Sequence, residues 1–182
     1  MRSKRETIAN PAIGDRVTFL ETTAETKGAY LRLQVELAAG GGNALHYHLA
    51  FTERFEVVAG SLNLEVDGQH LILQPGQSAI APIGIPHRFY APAGEPVTFV
   101  AEVRPARDFE RALRISYGLA QDGRVNRRGM PLNPLELAIV FKYAGTYLPA
   151  VPLWLQKGTM AALARLAERF GVEKRLERYV EG

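Results

Sequence analysis

The stretch GGGNALHYHLAFTERFEVVAG, Gly40–Gly60, gathers His46, His48 and Glu53 between two glycine-bearing ends. On a β-strand, residues i and i+2 share a face, so His46 and His48 project together while Tyr47 points to the other side. The short connection Leu49-Ala50-Phe51-Thr52 can turn the chain back, so that Glu53 opens the next strand toward the same pocket. A second stretch, GQSAIAPIGIPHRFYA from Gly76, carries His87 just after the turn Pro82-Ile83-Gly84-Ile85-Pro86. Three of the chain's 4 histidines therefore belong to one two-part pattern. The fourth, His70, sits in Gln69-His70-Leu71 and reads as an ordinary hydrogen-bonded strand residue. Three imidazoles and one carboxylate make an N3O donor set that suits Fe(II), Mn(II), Ni(II), Cu(II) or Zn(II). As a polar cluster with no ion, the same four side chains would be costly to bury in an apolar interior. One divalent metal ion per chain, held by His46, His48, Glu53 and His87, is the expectation.

Outward from these stretches the hydrophobic period is two. Leu31, Leu33, Val35 and Leu37 alternate with Arg32, Gln34 and Glu36, and Leu62, Leu64 and Val66 repeat the pattern. Asp67-Gly68 supplies a tight hairpin turn before QHLILQ, Pro75-Gly76 a further turn, and PVTFVAEV closes the series. Short strands separated by Gly and Pro turns predict a mainly β barrel or sandwich over residues 29–104. Residues 1–28 read as a polar lead with apolar anchors at Val17, Phe19 and Leu20.

After Pro105 the period becomes helical: Phe109, Ala112, Leu113 and Tyr117 fall on one face. Beyond the polar loop QDGRVNRRGMPL, Asn133-Pro134-Leu135-Glu136 predicts an N-cap, a proline at the first helical position and a first-turn acid. The spacing predicts helices over Pro134 to about Tyr147, Pro152 to Phe170 and Val172 to Tyr179. The chain thus divides into a barrel with its lead, 1–104, and a helical extension, 105–182, packed on the barrel or on a dimer partner. The apolar run Leu135–Leu155 is interrupted by Glu136, Lys142, Gly145, Pro149 and Pro152, which favours a packed helical hairpin over a membrane span.

The 182 residues suit one domain with an appendage. A net charge of +3, from 22 basic and 19 acidic residues, is too small an excess to point to nucleic acid. The basic clusters Arg2, Lys4, Arg5 and Arg124, Arg127, Arg128 have no interleaved aromatics and read as solvated faces. With 0 cysteines, disulfides, thiolate metal sites and cysteine nucleophiles are excluded. The N-terminal residues have positive charge but no apolar core of a signal peptide, which makes the cytoplasm the expected compartment.

The two stretches resemble the paired motifs of the cupin superfamily. Gly40, His46, His48, Glu53 and Gly60 fit G-x5-H-x-H-x3,4-E-x6-G at every spacing. Gly76, Pro82, Gly84 and His87 fit G-x5-P-x-G-x2-H-x3-N, with Ala91 in place of the asparagine, a structural position rather than a ligand. The resemblance covers about residues 29–104 and implies a double-stranded β-helix, or jelly-roll, barrel with one metal centre. It does not choose a reaction, because cupins include dioxygenases, isomerases, decarboxylases, lyases and non-enzymatic binders. It also implies a homodimer, to which the apolar tail would lend surface.

Residues in phase with the ligands would line the pocket: Leu33 and Val35, Phe55, Phe89 and Phe99. This wall is apolar and aromatic, without an evident inward cation. Three readings follow. In the first, four protein ligands leave room for a substrate or dioxygen, and the protein is a dioxygenase-type oxidoreductase. It would act on a small, weakly charged, aromatic or enolic compound, with Glu53 as the catalytic proton acceptor. With Zn(II) or Mn(II) the same site would isomerise or decarboxylate. In the second, the barrel binds a small molecule as a sensor without turnover. In the third, the metal only fastens the barrel.

Overall fold

The structure, a computed structural model, describes residues 5–180, so Arg2 and Lys4 of the first basic cluster lie outside the described residues. In chain order the strands are β1 (Thr7–Asn10), β2 (Asp15–Glu21), β3 (Leu31–Leu37), β4 (Tyr47–His48), β5 (Thr52–Ala59), β6 (Leu62–Val66), β7 (Gln69–Leu73), β8 (Ser78–Ala81), β9 (His87–Tyr90), β10 (Val97–Arg104) and β11 (Thr146–Tyr147). The helices are α1 (Phe109–Gln121), α2 (Pro134–Ala144), α3 (Leu153–Arg169) and α4 (Val172–Leu176), the last continuing into a 3-10 turn, Glu177–Tyr179.

One sheet runs β1-β2-β3-β10-β5-β8, and a second runs β7-β6-β9. All their pairings are antiparallel. Alternation decides which face is inner. In β3, Leu31, Leu33, Val35 and Leu37 are all buried, as the period of two requires. Across the sheet Ala101 is flanked by Leu33 and Phe55, and Phe99 by Val35 and Val57. The second sheet contributes Leu62, Leu64 and Phe89 to the same core. The Phe89 ring of the second sheet meets Phe55 and Phe99 of the first at centroid distances of 5.6 and 5.1 Å, bridging the two. This is the mainly β jelly-roll anticipated from the sequence, followed by a helical unit. Each large apolar side chain fully buried here stabilises the fold by about 1.5–3 kcal/mol.

Two turns need their residues. Asp67 and Gly68 both take positive φ, 52° and 73°, the conformation that matches a two-residue hairpin to strand twist. Gly60 has φ 77°, and a Cβ there would sit 2.5 Å from the Pro96 carbonyl oxygen, so no larger residue fits without moving backbone.

The N-terminal segment departs from the polar lead expected of it. Residues 7–21 form two strands that extend the larger sheet, with Val17 and Phe19 buried beside Val35 and Leu33. Their signal is weak because the strand opens on a buried polar residue, Asp15, which accepts a hydrogen bond from the Tyr117 hydroxyl of α1 at 2.5 Å. Arg114, also on α1, lies over the Phe19 ring at 4.1 Å. Helix α1 is thereby docked on the first strands, and Tyr117 joins the barrel core.

The other face of α1 and the remaining helices bury a second core that includes Ile115, Leu119, Ile139, Val140, Ala167 and Leu176. Helix α2 starts as predicted, with the Asn133 side chain accepting from Leu135 N–H and Pro134 at its first turn. It ends earlier than the expected Tyr147. Gly145 adopts the left-handed conformation (φ 56°, ψ 32°), which stops the helix at Ala144, and Thr146–Tyr147 leave it as a strand paired with β4. None of the helices among the described residues is long and apolar enough to cross a membrane.

Candidate metal centre

The four predicted ligands converge. One potential donor atom from each of His46, His48, Glu53 and His87 lies within 4.8 Å of the others. Backbone pairing builds this arrangement: His46 N–H donates to His87 O at 3.0 Å and His87 N–H to His46 O at 2.7 Å. Glu53 is the second residue of β5, and its neighbour across the sheet is Ala81, just before the turn that delivers His87. Within that turn Gly84 N–H donates to His48 O at 2.7 Å, tying the two motif segments together. His48, His87 and Glu53 are buried, and His46 is partly so. His70 is exposed on β7, outside the cluster.

Each imidazole is oriented by a backbone carbonyl. The Nδ1 atoms of His46, His87 and His48 lie 2.8, 2.9 and 3.2 Å from the oxygens of Ala44, Ile85 and Gly145. A carbonyl can only accept, so each Nδ1 carries a proton, which leaves Nε2 as the atom each imidazole can offer to a metal. This is the arrangement of metal-ligating histidines whose outer hydrogen bonds fix tautomer and ring angle.

The electrostatics agree. The Glu53 carboxyl, although burial opposes its charge, is held well below the usual carboxylate range by the neighbouring imidazoles of His48 and His87, the latter in hydrogen-bond contact. Burial would depress His87, but the hydrogen bond and charge of Glu53, at 2.8 Å from Nε2, outweigh it and raise its pKa. Burial pushes His46 down to about 4, so it is neutral and able to ligate at ordinary pH.

The residues fit a metal ion on a specific observation. His48 Nε2 is buried, has no hydrogen-bond partner and stands 3.5 Å from Glu53 Oε2. An unpaired nitrogen lone pair beside a carboxylate is a cost that a cation relieves. First-row ions bind imidazole and carboxylate at about 2.0–2.2 Å, a radius compatible with donors this close together.

Aromatic rings stand close to the candidate ligands. Phe55 lies 6.4 Å from the His87 ring, with Phe89 and Phe99 behind it. Leu33 and Val35 are buried in the core on β3. Two further rings were not singled out by sequence. Phe51 stacks on His48 at 4.2 Å, and Phe109, at the start of α1, meets the edges of both, at 5.8 Å from His48 and 5.3 Å from Phe51. Phe51 falls in the connection between two ligands, and Phe109 reads as a helix-face residue, so neither carried a site signal. Gly145 was readable only as a helix stop. Among the described residues no lysine or arginine is buried.

Residues 33–102, which include all four ligands, match the family model of the cupin domain. The oxidoreductase OpS7 of Beauveria bassiana is 28% identical in an alignment covering 90% of this chain and 62% of that protein, so the chain spans less than two thirds of this relative. That alignment necessarily extends into the helical unit. Among solved structures, KdgF from Halomonas sp. superposes with a TM-score of 0.52 at 19% identity, over 59% of this chain and 93% of that one. An RmlC-like cupin from Shewanella frigidimarina gives a TM-score of 0.51 at 20% identity, over 59% and 89%. The polyketide cyclase RemF from Streptomyces resistomycificus gives 0.50 at 20% identity, over 59% and 78%. Likeness at these identities speaks to fold.

Proposed function

We propose, from the match of residues 33–102 to the cupin domain model, that the protein is a mononuclear metal-dependent oxidoreductase of dioxygenase type. Its substrate is a small, weakly charged organic compound with an aromatic or enolic group. The observation that carries the metal is the convergence of three carbonyl-oriented imidazoles on one buried carboxylate, with His48 Nε2 left unpaired. Support for oxidoreductase chemistry comes from the similarity to OpS7, which runs through barrel and helices alike.

A bound Fe(II) or Ni(II) ion would supply the redox chemistry. The protein's own groups supply the rest. His46, His48 and His87 would hold the ion through their Nε2 atoms. Glu53, ionised and buried, accepts a proton from a substrate hydroxyl or enol. Phe51, Phe55, Phe89 and Phe99 exclude water around it, which strengthens every charge interaction inside. The absence of a buried lysine or arginine among the described residues disfavours phosphorylated or strongly acidic substrates.

The test is oxygen uptake by protein loaded anaerobically with Fe(II), Mn(II), Ni(II) or Cu(II), screened against phenols and 1,3-dicarbonyl compounds. Consumption of oxygen and substrate together, lost in Glu53→Gln, is expected. No uptake with any ion across the panel, or turnover that proceeds equally well without oxygen, overturns the proposal.

A further inference from the structure

Two of the three histidines are oriented by their own segments: His46 by the carbonyl of Ala44 and His87 by that of Ile85, each two residues upstream. His48 is different. Its Nδ1–H donates to the carbonyl of Gly145, 97 positions away at the end of α2. The last carbonyls of a helix have no intrahelical partner. The left-handed turn at Gly145 directs the chain back toward the barrel, while Gly145 N–H still closes the helix on Phe141 O at 3.0 Å.

The rest of the segment is fastened to the same strand. Thr146 pairs with His48 and Tyr147 with Tyr47, and the two tyrosine rings pack at 5.7 Å. Behind it, the buried Gln156 of α3 clasps the next residue, accepting from Leu148 N–H at 2.8 Å and donating to Leu148 O at 2.9 Å and Val151 O at 2.7 Å. Phe109 of α1 closes on the His48 and Phe51 rings. Three parts of the helical unit therefore bear on one metal ligand, directly or through β11.

We infer that the helical unit is a positioning device for the metal centre, acting through the Gly145 carbonyl on His48. Gly145 is a positioning residue, not a catalytic one: it fixes the tautomer and angle of the imidazole and touches no reacting atom. The inference rests on the metal-ligand role of His48, and not on any particular reaction.

The experiment uses the full chain and two variants. Gly145→Val places a β-branched residue at a positive φ and shifts the carbonyl; Tyr147→Ala loosens β11 from β4 without a new clash. In metal-free protein, imidazole nitrogen NMR should show Nδ1–H for all three ligands. In the variants His48 alone should become a tautomeric mixture, while His46 and His87 keep theirs. With Co(II) alone as probe, stoichiometry should be retained and the dissociation constant should rise about 10–100-fold for Gly145→Val, less for Tyr147→Ala. A His48 tautomer and a Co(II) affinity unchanged in folded variants overturn the inference. Should Gly145→Val not fold, Tyr147→Ala decides by the same two readouts. If these results hold while oxygen uptake is absent, the dioxygenase reading fails and this one stands.

Discussion

The backbones of His46 and His87 hydrogen-bond to each other in both directions, at 3.0 and 2.7 Å. Two candidate ligands from the two motifs are thus joined by the main chain itself, through atoms that no metal ion would engage.

It follows that removing the metal leaves the barrel folded. Elemental analysis of native protein should give about one equivalent per chain. Chelation should lower the melting midpoint and leave the β-type far-ultraviolet circular dichroism intact. Free ion at one hundred times its dissociation constant adds about 2.7 kcal/mol of stability, and His48→Ala should abolish that increment. A chain that unfolds on chelation would instead mean that the ion is a structural fastener.

The Glu53–His87 pair predicts a pH response in the metal-free protein. The carboxylate raises the His87 pKa against the opposing effect of burial. In Glu53→Gln only burial and the Ile85 carbonyl remain, and the His87 pKa should fall relative to the native protein. NMR titration of the ring protons reads this directly; an unchanged or higher value contradicts the assigned cause.

Asp15 gives stability an acidic optimum of its own. Burial raises its pKa from 3.8 to about 6, against the lowering effect of the Tyr117 hydroxyl. The folded state therefore favours the protonated acid. This contribution is fully present below pH 3.8 and is lost as pH rises through about 6. The difference between 3.8 and about 6 corresponds to about 3 kcal/mol at most. Denaturant midpoints of chelated Asp15→Asn should lack this fall, and the variant should be the more stable protein near neutral pH.

Packing predictions separate the two cores. Phe55 is fully buried between the sheets, and Phe55→Ala should cost about 3–5 kcal/mol of global stability. Asn133→Ala removes only the cap of α2, which costs about 1 kcal/mol. Urea unfolding ranks the two; equal losses would contradict the burial difference.

What the sequence revealed followed from local chemistry. Alternation in Leu31–Leu37 set β3 to the residue, the Asp67-Gly68 pair set a hairpin, and histidine spacing brought together the ligands. What escaped it needs the assembled chain. Strands β1 and β2 are anchored by a buried Asp15 whose partner is on α1, so hydrophobicity alone undersells them. The two residues of β11 are too few to show a period, and their pairing is with a strand far upstream. At Ala91, where the second motif expects asparagine, the residue is buried and ties to the first motif through its N–H on Gly41 O at 2.9 Å. Asn43 meanwhile accepts from Phe89 N–H at 2.8 Å. The segment is held from the other side, in a way no single motif spells out.

The distance along the chain between His48 and Gly145 also sets an order in time. By Arg104 all four ligand side chains have been made, and two imidazoles already have their carbonyls. The third acquires its own only when α2 is complete and a 97-residue separation has been bridged. Contacts that far apart in sequence form late, because the entropy of closing the intervening loop must be met first. The outer hydrogen bonds of the metal centre are therefore complete only once α2 has docked, and a barrel made without it should hold its ion more loosely.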